Sequence, residues 1–284
     1  MTKSRYVRQF AWCLCLLLIP AMVPAQTDQG TNEYEPSVGQ NGKDVIWVPT
    51  AQVLVDKMLD LAQVGRGDYL IDLGSGDGRT VISAAKRGAY ARGIEYNPDM
   101  VALSKRNAAT EGVADRAEFA EADLFETDLS RATVITMFLL PDINLRLRQR
   151  ILGLKPGTRI VSNSFDMGEW TPDQSASVHE GCTVYCTAFL WIVPAKVEGR
   201  WQLREGELVL DQSFQTVTGA LVFRGARTAL TKGRLAGDRI SFAAGNALYT
   251  GQVHGDTMEG TASAGGNTRA WRAVKKSDVV PAAG

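Results

Sequence analysis

Between residues 45 and 194, short apolar runs alternate with segments whose apolar positions recur every three or four residues. The apolar runs predict strands at 69–73, 91–95, 117–122, 132–138, 158–163 and 184–193, and the periodic segments predict helices at 51–61, 79–87, 98–111 and 143–152. Thr50 suits the N-cap of the first helix and Pro98 the first turn of the third. Strands and helices that largely alternate imply an α/β fold with a largely parallel sheet covered on both faces. After Pro194 the texture changes to short strands and frequent glycines. There Gly233-Arg-Leu-Ala-Gly237-Asp238-Arg-Ile240 returns 18 positions later as Gly251-Gln-Val-His-Gly255-Asp256-Thr-Met258. A Gly-Asp pair flanked by alternating residues predicts a hairpin turn. Residues 196–276 are therefore expected to form a small antiparallel β-meander, partly rolled or barrel-like. Trp201, Phe214, Phe223, Phe242, Tyr249 and Trp271 would fill one of its faces.

The first 25 residues follow neither pattern. Lys3, Arg5 and Arg8 precede an apolar stretch from Phe10 to Val23, which closes on Val23-Pro24-Ala25 without an acidic residue. These are the marks of a secretory signal peptide cut after Ala25. A membrane anchor and an organelle transit peptide are the other readings, but the run is shorter than the roughly 18 to 20 residues a spanning helix needs, and Pro20 interrupts it. The expected location is outside the cytoplasm, periplasmic or envelope-associated, with an N-terminally anchored form as the alternative. Residues 26–44 are polar and Gly-rich and predict a flexible lead-in, and 277–284 a disordered tail. Cys13 and Cys15 leave with the signal. Cys182 and Cys186 remain, where an oxidising compartment permits a bridge. In one straight strand they would stand roughly 13 Å apart, beyond disulfide reach, so a bridge needs a bend near Gly181. Two buried, unbridged cysteines are the other reading.

Composition narrows the class. The 284 residues are 45% hydrophobic and 22% charged, with 31 basic and 31 acidic side chains. That is globular, and formal neutrality supplies none of the basic excess that a nucleic-acid partner calls for.

The chemistry concentrates in Tyr69-Leu-Ile-Asp72-Leu-Gly74-Ser75-Gly76-Asp77-Gly78-Arg79, an apolar strand entering a glycine loop that opens a helix. Such a loop lets the backbone approach a ligand and offers helix N-terminal amides to it. The G-x-G-x-G spacing departs from the dinucleotide pattern G-x-G-x-x-G. Asp72 and Asp77 would repel a pyrophosphate and attract a cationic sulfonium with its ammonium. S-adenosylmethionine (SAM) therefore fits better than NAD. Glu95 ends the second strand, 23 positions after Asp72, where a carboxylate can accept ribose hydroxyl protons. Asp123 follows the third strand, placed to accept an adenine amino group while Leu124 or Phe125 covers the ring. Thr50, Asp72, Gly74, Ser75, Gly76, Asp77, Gly78, Glu95, Asp123 and Leu124 are the expected cofactor residues, and no metal site is expected.

The segments DLGSGDGR, GIE, ADLF and LKPGTRIVSNSFDMGEW, with Val48-Pro49-Thr50 before the first helix, resemble class I SAM-dependent methyltransferases over roughly residues 45–194. Within that class the chain is most similar to small protein-lysine methyltransferases of the ATP synthase c subunit and adenine nucleotide translocase type. The resemblance implies a Rossmann-like seven-stranded sheet with its last strand antiparallel, SAM as cofactor and a protein lysine as acceptor. The acceptor is expected over the end of the fourth strand. There Phe138 would form an apolar wall or attract a methylated ammonium through its ring, and Asp142 or Asn144 would orient the amine. The opposing reading makes Phe138 sheet core and Asp142 the cap of the next helix. A protein substrate is expected, with no nucleic acid, no stable membrane span in the mature chain and no reading of oligomeric state. The competing functions are a non-catalytic SAM-fold binding module in the cell envelope and a methyltransferase for a small molecule.

Overall fold

The computed structural model describes residues 34–276 and, apart from them, Thr2. The rest of the expected signal segment, residues 26–33 of the lead-in and the expected tail at 277–284 lie outside the described residues.

The first layer of the fold consists of α1 (Gln52–Leu61), β1 (Tyr69–Leu73), α2 (Arg79–Lys86), β2 (Tyr90–Glu95), α3 (Pro98–Thr110), β3 (Ala117–Glu121), β4 (Val134–Met137), α4 (Pro141–Ile151), β5 (Arg159–Asn163), β6 (Gln174–Ser177) and β7 (Thr187–Ile192). The strands make one seven-stranded sheet in the order β3-β2-β1-β4-β5-β7-β6. β1 to β5 run parallel, and β7 lies antiparallel between β5 and β6. Side chains alternate across each strand. Leu70 and Val134 join the apolar cluster under α1 and α2, while Ile71, Leu73, Ile135 and Met137 join the cluster under α4 with Trp170 and Trp191. Both clusters are buried, as a parallel sheet covered on two faces requires.

At the amino ends of β1 and β5 the sheet is tied by polar contacts. The Arg159 guanidinium meets the Asp68 carboxylate and donates to Ala62 O at 2.6 Å. The Thr133 hydroxyl donates to Asp68 at 2.8 Å. At the carboxyl ends the strands open into glycine-rich and acidic loops instead.

Two local expectations change. Thr50 does not cap α1; Ala51 is the N-cap, and its carbonyl accepts from Leu54 and Val55. Thr50 instead bonds Asn163 Nδ2 through its hydroxyl, at 3.1 Å. β6 is a strand that no apolar run announces, because Gln-Ser-Ala-Ser is a mostly exposed sheet edge.

The second layer is a closed barrel of β8 (Gly199–Leu203), β9 (Glu207–Ser213), β10 (Thr216–Phe223), β11 (Ala226–Ala236), β12 (Arg239–Ala244), β13 (Ala247–His254), β14 (Thr257–Ala264) and β15 (Asn267–Lys275). The two Gly-Asp pairs form the turns β11–β12 and β13–β14, with Gly237 at φ +65° and Gly255 at φ +58°. Trp201, Phe242 and Trp271 are buried inside, and Tyr249 stacks on Phe242 at 4.8 Å. Two expected members lie elsewhere. Phe223 is exposed, and Phe214 stacks on Trp170 of the α/β layer at 5.9 Å. Gln215 donates to Thr171 O at 2.8 Å, and Arg234 pairs with Asp173. Phe214 and Gln215 form the β9–β10 turn, so that turn is a docking element between the two layers.

Candidate functional site

A cavity of about 590 Å³ opens at the carboxyl ends of β1 to β4, within the size range of small-molecule sites. Its wall comes from the loop after β1, the ends of β2, β3 and β4, and residues 40–50 ahead of α1. Thr50, Asp72, Gly74, Ser75, Gly76, Asp77, Glu95, Asp123, Leu124 and Phe138 all line it. No barrel residue does.

The four acids are not equivalent. Asp72 is buried, and Thr136, its register partner on β4, donates a hydroxyl bond to it at 2.6 Å. Burial pushes this carboxyl up to about 7. The neighbouring Glu95 and Asp77 add to the rise, and the Thr136 bond opposes it. Glu95 is fixed by backbone amides: Oε2 accepts from Gly76 N at 2.9 Å, and Oε1 accepts from Tyr96 N at 2.9 Å and Asn97 N at 3.0 Å. A carboxylate has about four lone-pair sites, so one remains for a ligand.

Asp77 is held by Arg79, whose Nε stands 3.0 and 3.1 Å from its two oxygens, while Arg79 Nη1 donates to Thr50 O at 2.8 Å. Asp123 pairs with Lys43, and the Phe125 amide also donates to it at 2.8 Å. The Lys43 ammonium, then the Phe125 amide, hold this carboxyl below the usual carboxylate range. Two of the acids expected to give the cleft its negative field are thus countered by resident cations. Of the four, Glu95 and, when ionised, Asp72 have no cation paired with them among the described residues.

Three expected site residues stand outside the wall. Gly78 is the N-cap of α2, packed so closely that a Cβ there would meet Phe119 and Ser104 at 2.8 and 2.9 Å; its glycine serves packing. Asp142 lies exposed in the first turn of α4, where its charge suits the helix N-terminus, and Leu140 rather than Asp142 is the N-cap. Asn144 is buried and turned away, its Nδ2 donating to Phe165 O at 3.3 Å and Asp166 O at 3.1 Å. It shapes the loop that carries Phe165.

Several wall residues had no signal in the pattern of the chain. Gln40 to Trp47, expected in part to be lead-in, run along the cavity. Asn41 bridges Ile46, and the amides of Gly39 and Trp47 bond Trp47 O and Gln40 O at 2.8 and 2.9 Å. The apolar run Val45-Ile46-Trp47-Val48 was the available hint; Lys43 had none. Lys43 also lies 4.7 Å from the centre of the Tyr96 ring. At the other end of the cavity Phe138 packs against Phe165 and Tyr185, with ring centroids 6.0 and 5.2 Å away. Tyr185 arrives on the loop between β6 and β7, where Cys182 and Cys186 form a disulfide. The chain bends there as a bridge requires, with Gly181 at φ +73° and the two Cα atoms 5.8 Å apart. Neither His179 nor His254 lines the cavity.

Residues 72–174 match the family model of the ANTKMT methyltransferase domain. Over 152 residues the chain is 39% identical to a protein-lysine N-methyltransferase of Saccharolobus islandicus (strain REY15A), covering 52% of this chain and 94% of that protein. It is 35% identical over 128 residues to the Homo sapiens lysine N-methyltransferase named for the c subunit of ATP synthase, covering 45% of this chain but only 54%, about half, of that relative. The crystal structure of an RNA methyltransferase from Salinibacter ruber in complex with S-adenosyl-L-homocysteine is similar at 47% identity and a TM-score of 0.50. That match covers 53% of this chain and 96% of the other.

Proposed function

The chain belongs to the SAM-dependent methyltransferases of the ANTKMT domain family, and on that premise we propose that it methylates the side-chain amine of a protein lysine. The observation that carries the reading is one continuous cavity with acids at the strand ends on one side and an apolar aromatic wall on the other. The lysine acceptor draws support from the names of the archaeal and human relatives.

The wall suits SAM. The glycine loop presents backbone to the cavity: Gly74 and Gly76, at φ +76° and +53°, both line it, and the buried Ser75 hydroxyl between them has no hydrogen-bond partner among the described residues. Glu95, oriented by its three amides, is assigned to a ribose hydroxyl through its remaining lone pair, and Asp123 with Leu124 to the adenine. Lys43 then has to share or release Asp123. Asp72 supports the positive end of the cofactor. When bound, SAM supplies a methyl group on a sulfonium, ready for in-line displacement. The remaining task is to present a neutral amine in line. A lysine amine ordinarily titrates near 10.4, and an apolar surround lowers that value. Phe138 and Phe165 provide the surround, so no histidine base is required.

Cofactor affinity should depend on pH through Asp72. The folded, ligand-free protein holds a proton on this carboxyl up to about pH 7, whereas the unfolded chain releases it near the ordinary value of 3.8. Its contribution to stability therefore falls as pH rises between those values. A cationic ligand favours the ionised form. Titration calorimetry at pH 6 in buffers of different ionisation enthalpy should show proton release on SAM binding, with affinity rising toward pH 8. Asp72→Asn should remove the release, and an unchanged proton count would refute the coupling.

The reading is tested by incubating the protein with methyl-labelled SAM and fractionated envelope proteins, then locating the label by mass spectrometry. Label on lysine is expected. Label on RNA or on a small metabolite would overturn the lysine acceptor, and the formal neutrality of the chain gives no electrostatic reason to expect RNA. Export is also proposed, supported by the signal-like residues 1–25 and by the Cys182–Cys186 bridge, which an oxidising compartment preserves. Terminal sequencing of the protein from its host should then begin at Gln26, and a cytosolic chain beginning at Met1 would refute it.

A further inference from the structure

We propose that Tyr185 is a positioning residue for the acceptor, its ring held against Phe138 by the Cys182–Cys186 loop so that the alkyl stem of an incoming amine is packed away from water. The inference rests on the amine-acceptor reading above and adds a residue and a device to it.

The ring meets Phe138 edge-on at 5.2 Å and Phe165 at 5.7 Å, and all three side chains line the same cavity. Because the rings already touch, they form a continuous apolar wall rather than an open cage. A four-carbon stem can lie along such a wall while its nitrogen points inward, the usual behaviour of a long amphipathic side chain. Tyr185 is nonetheless 45% exposed, and its neighbour Val184 is 66% exposed, so burial of the loop itself does not fix the ring.

The loop closure supplies what burial does not. Tyr185 has φ +56°, a left-handed conformation that an aromatic L-residue keeps only where its surroundings impose it. Three constraints act on either side of it. The disulfide closes the chain from Cys182 to Cys186 with the Cα atoms 5.8 Å apart. The Val178 amide bonds Cys186 O at 2.9 Å, continuing the β6–β7 ladder into the loop. Gly181 lies so near α1 that a Cβ there would stand 3.3 Å from Val53 Cγ1. A tight covalent ring between a hairpin and a helix thus presents one aromatic side chain to the acceptor end of the cavity. Without the bridge, the left-handed residue would relax toward ordinary backbone and carry the ring off Phe138.

The test compares Tyr185→Ala, Tyr185→Phe, Cys182→Ser/Cys186→Ser and the triple combination with the wild type. With Nα-acetyl-lysine amide as the acceptor, Tyr185→Ala should raise KM roughly tenfold, the scale of one lost aromatic contact, with SAM affinity within about twofold of wild type. Tyr185→Phe should restore the KM. The cysteine pair should reproduce the Tyr185→Ala defect, and the triple variant should be no worse than either, because the bridge acts through the ring. A KM unchanged in Tyr185→Ala, or losses that multiply in the triple variant, would overturn the proposal.

A second measurement needs no turnover: saturation-transfer NMR of Nα-acetyl-lysine amide with the protein and S-adenosyl-L-homocysteine. Transfer to the side-chain methylenes is expected in the wild type and Tyr185→Phe and should vanish in Tyr185→Ala. This pattern without any methylation of lysine would leave the wall standing and refute the methyl-transfer reading. Equal transfer in Tyr185→Ala, or none in the wild type, would refute the wall.

Discussion

Gly76→Val abolishes SAM binding, with a loss of at least roughly a hundredfold in Kd, about 2.7 kcal/mol. Gly76 sits at φ +53°, a region a β-branched residue cannot hold without strain, and an added Cβ would stand 2.6 Å from Trp47 Nε1. Its amide also donates to Glu95 Oε2, so a displaced loop would disturb the carboxylate assigned to the ribose. Three effects of one substitution converge on the same wall. Titration calorimetry reads the loss, and a thermal midpoint within a few degrees of wild type shows that the chain is folded. If the collision with Trp47 were the whole cause, adding Trp47→Ala would restore binding. The left-handed backbone predicts that it does not. Undiminished affinity in Gly76→Val would remove the glycine loop from the cofactor site.

Phe138→Ala has the second large effect, and on a different quantity. The ring stands just past the end of β4, half-buried, between Phe165 and Tyr185. Its loss opens the wall to water without touching the acids at the other end. The expected result is a fall in kcat of roughly tenfold or more, with SAM affinity unchanged. The pH dependence supplies a second signature. A desolvated amine loses its proton below the ordinary lysine value, so the wild-type rate should plateau at a lower pH than the variant, in which water returns to the ammonium. The same kcat and the same profile in both proteins would place Phe138 in the sheet core alone.

The strands of the parallel sheet were legible because short segments rich in apolar residues, buried throughout in β4 and interrupted by charged residues in β2 and β3, stand between the helical segments. Tyr69–Leu73 needed no adjustment, and the others shifted only at their ends. β6 was not legible, since Gln174–Ser177 forms an exposed edge and carries no such run. The glycine loop and the acids at 72, 95 and 123 were legible from their positions after successive strands. Their electrostatic state was not. Lys43 reaches Asp123 across 80 residues of chain, and Asp72 owes its raised value to burial that becomes visible only when β4 lies beside β1. Asn144 shows the converse. A polar residue one turn into a helix beside a proposed site invites a chemical role, yet its amide is directed at the carbonyls of Phe165 and Asp166. The acceptor end was half legible: Phe138 stood out at a strand end, whereas Tyr185 depends on a bend that only the bridge between Cys182 and Cys186 defines.

The barrel closes unevenly, and that sets where it yields. β14 and β15 pair along eight residues, whereas β15 meets β8 through only Ala273, Val274 and Lys275. Amide hydrogens along this short seam are the ones that should exchange first. Charge guards it: Glu207 accepts from Arg200 on β8 and from Lys276 just beyond β15. These two cations, Arg200 foremost, hold the Glu207 carboxyl below its ordinary value, so the clasp is complete at neutral pH and weakens as acid protonates it. A barrel without free edges thus keeps one ionic fastening, and it lies where the first and last strands meet.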